Sequence, residues 1–162
     1  MQQSVWRPLT IGTFDTIGSY FVALAEKKRN ISDSARATLT AGEMRTIRGR
    51  RDLELVLASL PELGFKKEAA YKEIAECAKT AGLYPCPPEV GPSLSLQYDD
   101  QPNGEIVIVA MNPIFVSQRD SRLFAVGHGH VHGRRDSYYL AAGPASKNWA
   151  LDRRFVFTRG RL

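Results

Sequence analysis

The chain has 162 residues, 43% apolar and 24% charged, with a formal net charge of +5. This length and composition fit one folded domain with its own core and exclude disordered, collagen-like and disulfide-scaffold classes. No apolar run nears the roughly 20 residues that span a bilayer, and the start MQQSVWRPLTIG lacks the basic-then-apolar pattern of a secretory signal.

In chain order, residues 13–28 read as a helix. Ile17, Tyr20, Phe21, Leu24 and Ala25 form one apolar stripe, with Thr13 or Asp15 as the cap. A short second helix follows, capped by Ser32 or Asp33, with Ala35 and Leu39 inward and Gly42 at its end. The basic connector RTIRGRRD (45–52) leads to LELVLASL (53–60), read as a strand because Pro61 and Gly64 close it early. Residues 66–81 form the clearest amphipathic pattern, with Ala70, Ile74, Cys77, Ala78 and Ala81 as the buried stripe and Gly82 beyond it.

The texture then changes. LYPCPPEVGP (83–92) reads as a linker or fixed turn, and SLSLQY (93–98) alternates like a strand. DDQPNG (99–104) reads as a hairpin connection, and EIVIVAM (105–111) as a central strand covered on both faces. IFVSQ and RLFAV make a second hairpin, and SYYLAAG (137–143) and RRFVFTR (153–159) two more strands. The expected architecture is a single α+β domain over 1–162. N-terminal helices (about 13–82) pack on a C-terminal, mostly antiparallel β-sheet (about 93–160).

Charge is segregated. Residues 26–51 hold eight Lys/Arg against three Asp/Glu, residues 52–118 four against ten, and residues 119–162 nine against three. Such a pattern fits a phosphate-facing surface, or basic and acidic segments packed side by side. Arg45, Arg48, Arg50, Arg51, Arg134 and Arg135 are the candidate nucleic-acid contacts, since guanidinium suits bidentate phosphate binding. The alternative for the connector is a solvated loop or an ion-pair partner of the acidic middle.

VGHGHVHGRR (126–135) holds every histidine of the chain, His128, His130 and His132, at alternate positions. On a straight strand Phe124, Val126, His128, His130 and His132 share a face. These histidines are the candidate metal ligands, with zinc as the metal. A straight strand separates the outer two by about 13 Å, so one metal would need two of them and an outside ligand such as Asp136 or Asp120. The glycines favour instead a solvated hairpin end with exposed histidines. Cys77 reads as core. Cys86, fixed between prolines, would need a histidine as base to act as a nucleophile. Two cysteines are too few for a disulfide framework, so a reduced, cytoplasmic protein is expected.

Two resemblances add to this. Over five residues the histidine stretch resembles the signature of the histidine-triad nucleotide hydrolases and transferases. That likeness implies that His130, the central histidine, attacks a phosphate, although Gly129, Gly133 and Arg134 stand where that family has apolar residues. More broadly, CPPEVGPSLSLQYDDQPNGEIVIVAMNPI (86–114), LGFKKEAAYKEIAECAKTAGLYP before it, ISDSARATL (31–39) and the late DRRFVF resemble a group of uncharacterised small bacterial proteins. This likeness spans most of the chain and implies a bacterial origin and a single domain, without assigning a site.

The reading that results is a small cytoplasmic bacterial binding protein without clear catalytic machinery. Its partner is nucleic acid or a protein, met through the basic segments. The alternative is a metal-dependent or histidine-triad-like phosphoryl or nucleotidyl hydrolase centred on HGHVH, with His130 as the catalytic candidate. Whether the protein is an enzyme stays open, and no small-molecule substrate can be read from the sequence.

Overall fold

The computed structural model describes residues 3–131 and 133–160. In chain order the elements are β1 (Arg7–Ile11), α1 (Ile17–Glu26), β2 (Asn30–Ile31), α2 (Asp33–Leu39), β3 (Arg51–Ser59), β4 (Ala69–Ala70), α3 (Tyr71–Thr80), β5 (Leu83–Tyr84) and α4 (Val90–Gln97). They continue with β6 (Ile106–Val109), β7 (Ile114–Ser117), β8 (Asp120–Val131), β9 (Arg134–Pro144), β10 (Asn148–Trp149) and β11 (Arg154–Arg159). Among the described residues nine strands form one sheet in the order β1-β3-β11-β6-β8-β9-β2, with β5 on β11 and β7 on β8. Pairing is antiparallel except for β11 with β6 and β2 with β9. No helix among the described residues is long and apolar enough to cross a membrane.

The mixed α and β class and the mostly antiparallel sheet hold, but the division into a helical half and a β half does not. β1 and β3 come from the N-terminal part and lie in the sheet beside β11. SLSLQY is helical, as most of α4. Pro92 stands in its first turn, where a missing N–H costs nothing. Val90 to Ser95 are all buried, so this helix has no wet face and its sequence carries no 3.6-residue stripe. DDQPNG therefore leads from α4 into β6 rather than joining two strands.

Smaller boundaries shift as well. Thr16 caps α1, its Oγ1 accepting from Ser19 N at 3.1 Å. Ser32 caps α2, as expected, accepting from Ala35 N at 3.0 Å, and Thr40 rather than Gly42 ends it. The third helix begins only at Tyr71, because Ala69–Ala70 pair with β10. Ala81 is exposed and Cys77 half-buried.

Strand register assigns the two faces. Phe155, Ile108 and Ala125 are aligned across β11, β6 and β8. Phe124, Val126 and His128 therefore face the other way. On the Phe124 side sits α4, whose Gly91 is packed against the Phe124 ring. On the Phe155 side, Tyr71 of α3 stacks at 6.0 Å and Trp149 meets the ring edge-on at 5.3 Å. β11 and β6 are thus covered on both faces, which accounts for the buried run Phe155–Thr158 and the apolar 107–109. The outer edge of β1 is closed by a side chain. Gln97 of α4 accepts from Thr10 N at 3.2 Å and donates to Thr10 O at 2.7 Å, taking the place of a neighbouring strand.

Candidate functional site

Glu89, at the head of α4, is fully buried. Its Oε2 accepts from Gly12 N at 2.8 Å and from the Tyr20 hydroxyl, and its Oε1 accepts from Ile47 N at 2.8 Å. A buried carboxylate is tolerated only with such a full set of donors. One side chain thereby ties together the turn after β1, helix α1 and the basic connector. Gly12 is required there. Its φ is +75°, and a Cβ would stand 1.9 Å from the Gly49 carbonyl oxygen. Tyr20 spends its proton on Glu89, so Ser93 Oγ, 3.0 Å away, donates to the Tyr20 oxygen. Burial, and then the bond to Glu89, pushes the Tyr20 phenol well above its ordinary range.

Tyr20 and Ser93 of this network line a recess of about 570 Å³. Thr13 and Phe14 also line it, and its charged lining residues are Lys27 and Arg50 against Glu26. A second recess of about 510 Å³ adjoins it, with Lys27 common to both. Its other charged lining residues are Lys28, Arg29, Arg134 and Asp136, and Tyr138 forms a wall.

The second recess is held by a layered stack. His128 lies against one face of Tyr138 with centroids 3.9 Å apart, and the Arg29 guanidinium covers the other at 4.1 Å. Arg29, nearly buried, donates from Nε to Ser95 O at 2.8 Å and from Nη2 to Asp99 at 2.5 Å. Lys27 meets the same carboxylate at 2.7 Å. The hydrogen bond from Lys27, and after it the two positive charges, hold the Asp99 carboxyl below the usual range against the opposing effect of burial. Tyr138 donates its hydroxyl to Asp99 O at 2.5 Å.

His128 is buried, contrary to the exposed histidines expected of a loose hairpin end. On the opposite face, the Tyr139 ring occupies the place a Cβ at Gly127 would take. His128 Nδ1 donates to Gln101 O at 2.5 Å, and Nε2 faces Asp136 Oδ1 at 2.5 Å. Neither ring nitrogen presents a lone pair to solvent. Asp136 reaches it from a bulge, where the β8–β9 register shifts between Gly129 and Val131 and Asp136 adopts φ +58°. His130, past this point, is exposed. His132 lies outside the described residues, as does the side chain of Arg135. Among the described residues no group of three or more His, Cys, Asp or Glu side chains is arranged to hold a metal.

Of the candidate arginines, Arg45, Arg48, Arg50 and Arg51 are exposed at the Glu89-clamped connector and the start of β3, and Arg134 is exposed at the start of β9. Arg45 bends back onto the Gly42 and Met44 carbonyls. Among the described residues Arg48, Arg50, Arg51 and Arg134 have no carboxylate partner within ion-pair distance. Elsewhere the acidic middle does neutralise its basic flanks. Asp99 takes Lys27 and Arg29, Asp100 takes Arg7, Glu105 takes Arg154 and Glu54 takes Arg159. Both consequences of charge segregation are therefore present in one molecule.

Cys86 is buried with its Sγ 3.4 Å from Val156 O, and burial pushes its thiol up, away from nucleophilic use. Sequence reasoning missed Glu89, Tyr20 and Ser93 as a unit, and Arg29 and Asp99 as supports of the histidine. The available signal was a glutamate inside an otherwise apolar, proline-rich stretch. No protein-family model, curated protein or solved structure matches the chain.

Proposed function

We propose that the protein acts by binding, and that its partner is nucleic acid gripped through its phosphates along the face carrying Arg50, Lys27, Lys28 and Arg134. The observation that supports this most is the meeting of two basic recesses at Lys27, flanked by arginines with no carboxylate partner among the described residues. Tyr138 is filled on both faces, so base stacking there is closed off and the contact is to backbone phosphate, largely independent of sequence. A histidine-centred hydrolase, or a zinc site on His128, His130 and His132, is less favoured. Both nitrogens of His128 are occupied, and His130 is the one exposed ring among the described histidines.

Electrophoretic mobility shifts across a salt series test this reading. Single- and double-stranded probes should both be retarded at low salt. With Lys27 held by Asp99, three phosphate contacts from Arg50, Lys28 and Arg134 should weaken duplex binding about 40-fold between roughly 50 and 200 mM salt. An absence of any shift at low salt would overturn it.

A further inference from the structure

We propose that the protein also carries a separate site for a small organic anion with a flat apolar body, in a cleft of about 560 Å³ beside α3. The cleft lies on the Phe155 side of the sheet, where Tyr71 packs, whereas Tyr138 and α4 of the basic recesses lie on the Phe124 side. Its volume falls within the roughly 300–1,000 Å³ of small-ligand sites.

The lining defines the ligand. Tyr71, Ala75, Pro85 and Pro113 supply apolar walls. Tyr71 has its hydroxyl committed to Met111 O at 2.7 Å, so its contribution to the cleft is its ring. Three ammonium groups surround these walls. Lys72 and Lys79 are two turns apart on α3, and Lys147, just before β10, also lines the cleft. Glu76 is the one acidic lining residue and lies 3.8 Å from Lys79, leaving the cleft with a positive excess. Lys147 is held in place, with Nζ 4.1 Å over the Trp149 ring. Ser121 and Asn112 add neutral hydrogen-bonding groups. Cations around an apolar slot select a flat hydrocarbon body bearing a carboxylate, sulfonate or phosphate, the combination of hydrophobic payload and few placed polar groups typical of small-molecule sites.

Fluorescence titration of the full chain with 8-anilinonaphthalene-1-sulfonate, with stoichiometry from calorimetry, tests the proposal. One-to-one saturable binding is expected. The double variant Lys72→Glu/Lys147→Glu, altered only at exposed positions, should bind at least about tenfold more weakly. Arg50→Glu/Arg134→Glu should bind as wild type. The uncharged probe N-phenyl-1-naphthylamine should bind about tenfold more weakly than the sulfonate. Ala75→Phe, which fills the slot, should abolish binding with an unchanged circular dichroism spectrum. The proposal is overturned if binding does not saturate, if the lysine variant keeps wild-type affinity, or if the neutral probe binds equally well.

Discussion

The imidazole of His128 lies parallel to the phenol ring of Tyr138, with planes 10° apart, while Arg29 occupies the far side of that phenol. Tyr138 is thus the middle layer joining β8, β9 and the chain after α1. Tyr138→Ala removes both stacks and the hydroxyl bond to Asp99 O, and should cost about 2–3 kcal/mol. Tyr138→Phe keeps the stacks and should cost about 1 kcal/mol. Urea denaturation of the two variants distinguishes ring from hydroxyl, since equal losses would mean that the stacking contributes nothing.

Glu89→Gln replaces an acceptor of three hydrogen bonds by an amide that turns an NH₂ toward buried donors. The expected loss is about 3 kcal/mol. Amide hydrogen exchange at either Gly12 or Ile47 should accelerate beyond the global change, because the single amide oxygen can serve only one side of the clamp. Gly12→Ala should be at least as damaging, given the Gly49 carbonyl in its path. A Glu89→Gln protein with wild-type stability and exchange would remove the clamp from the account.

Asp99 gives the chain a pH dependence of definite sign. Its carboxyl is lowered in the folded state from 3.8, so its ion pairs contribute fully above that value and are lost as pH falls through the lower folded one. Asp99 is largely exposed, so screening keeps the contribution near about 0.5 kcal/mol. Asp99→Asn should be slightly less stable than wild type at neutral pH, and the two should converge in acid. Denaturation midpoints measured across pH 2–7 check this, and a gap that widened in acid would contradict the sign.

Arg50 and Arg134 sit in different recesses, so their effects on nucleic-acid binding should be independent. Each change to Glu should weaken binding to all probe sequences alike and lower the salt slope by about one. Stability should move by no more than about 0.5 kcal/mol, as both side chains are exposed. Mobility shifts with the single and double variants measure this. A loss confined to one probe sequence would point to base readout instead.

Where local pattern and burial agree, the sequence is readable. β3 follows from LELVLASL between its breakers, α2 from its serine cap, and β6 and β11 from apolar runs that need cover on two faces. Where they conflict, it misleads. SLSLQY alternates by chance, because α4 is buried through Ser95 and only its last turn reaches solvent, too little to set a period. The shared face of Phe124, Val126 and His128 was legible from strand alternation. The burial of His128 was not, because it depends on Asp136 at a register shift, on the Tyr138 ring and on Gln101, remote in the chain. Arg50 and Arg134 could be singled out by charge alone, but their placement on recesses that meet at Lys27 required the fold.

The position of β11 has a consequence for how the molecule is made. This strand, residues 154–159, lies between β3 and β6 in the middle of the sheet. A nascent chain emerging from the ribosome holds β1 and β3 on one side and β6, β8 and β9 on the other, with the strand that joins them still to come. Until it arrives, β3 and β6 each expose an unpaired inner edge, the kind of surface that invites pairing with other chains. Assembly of the whole sheet waits on a strand synthesised after both of the parts it joins.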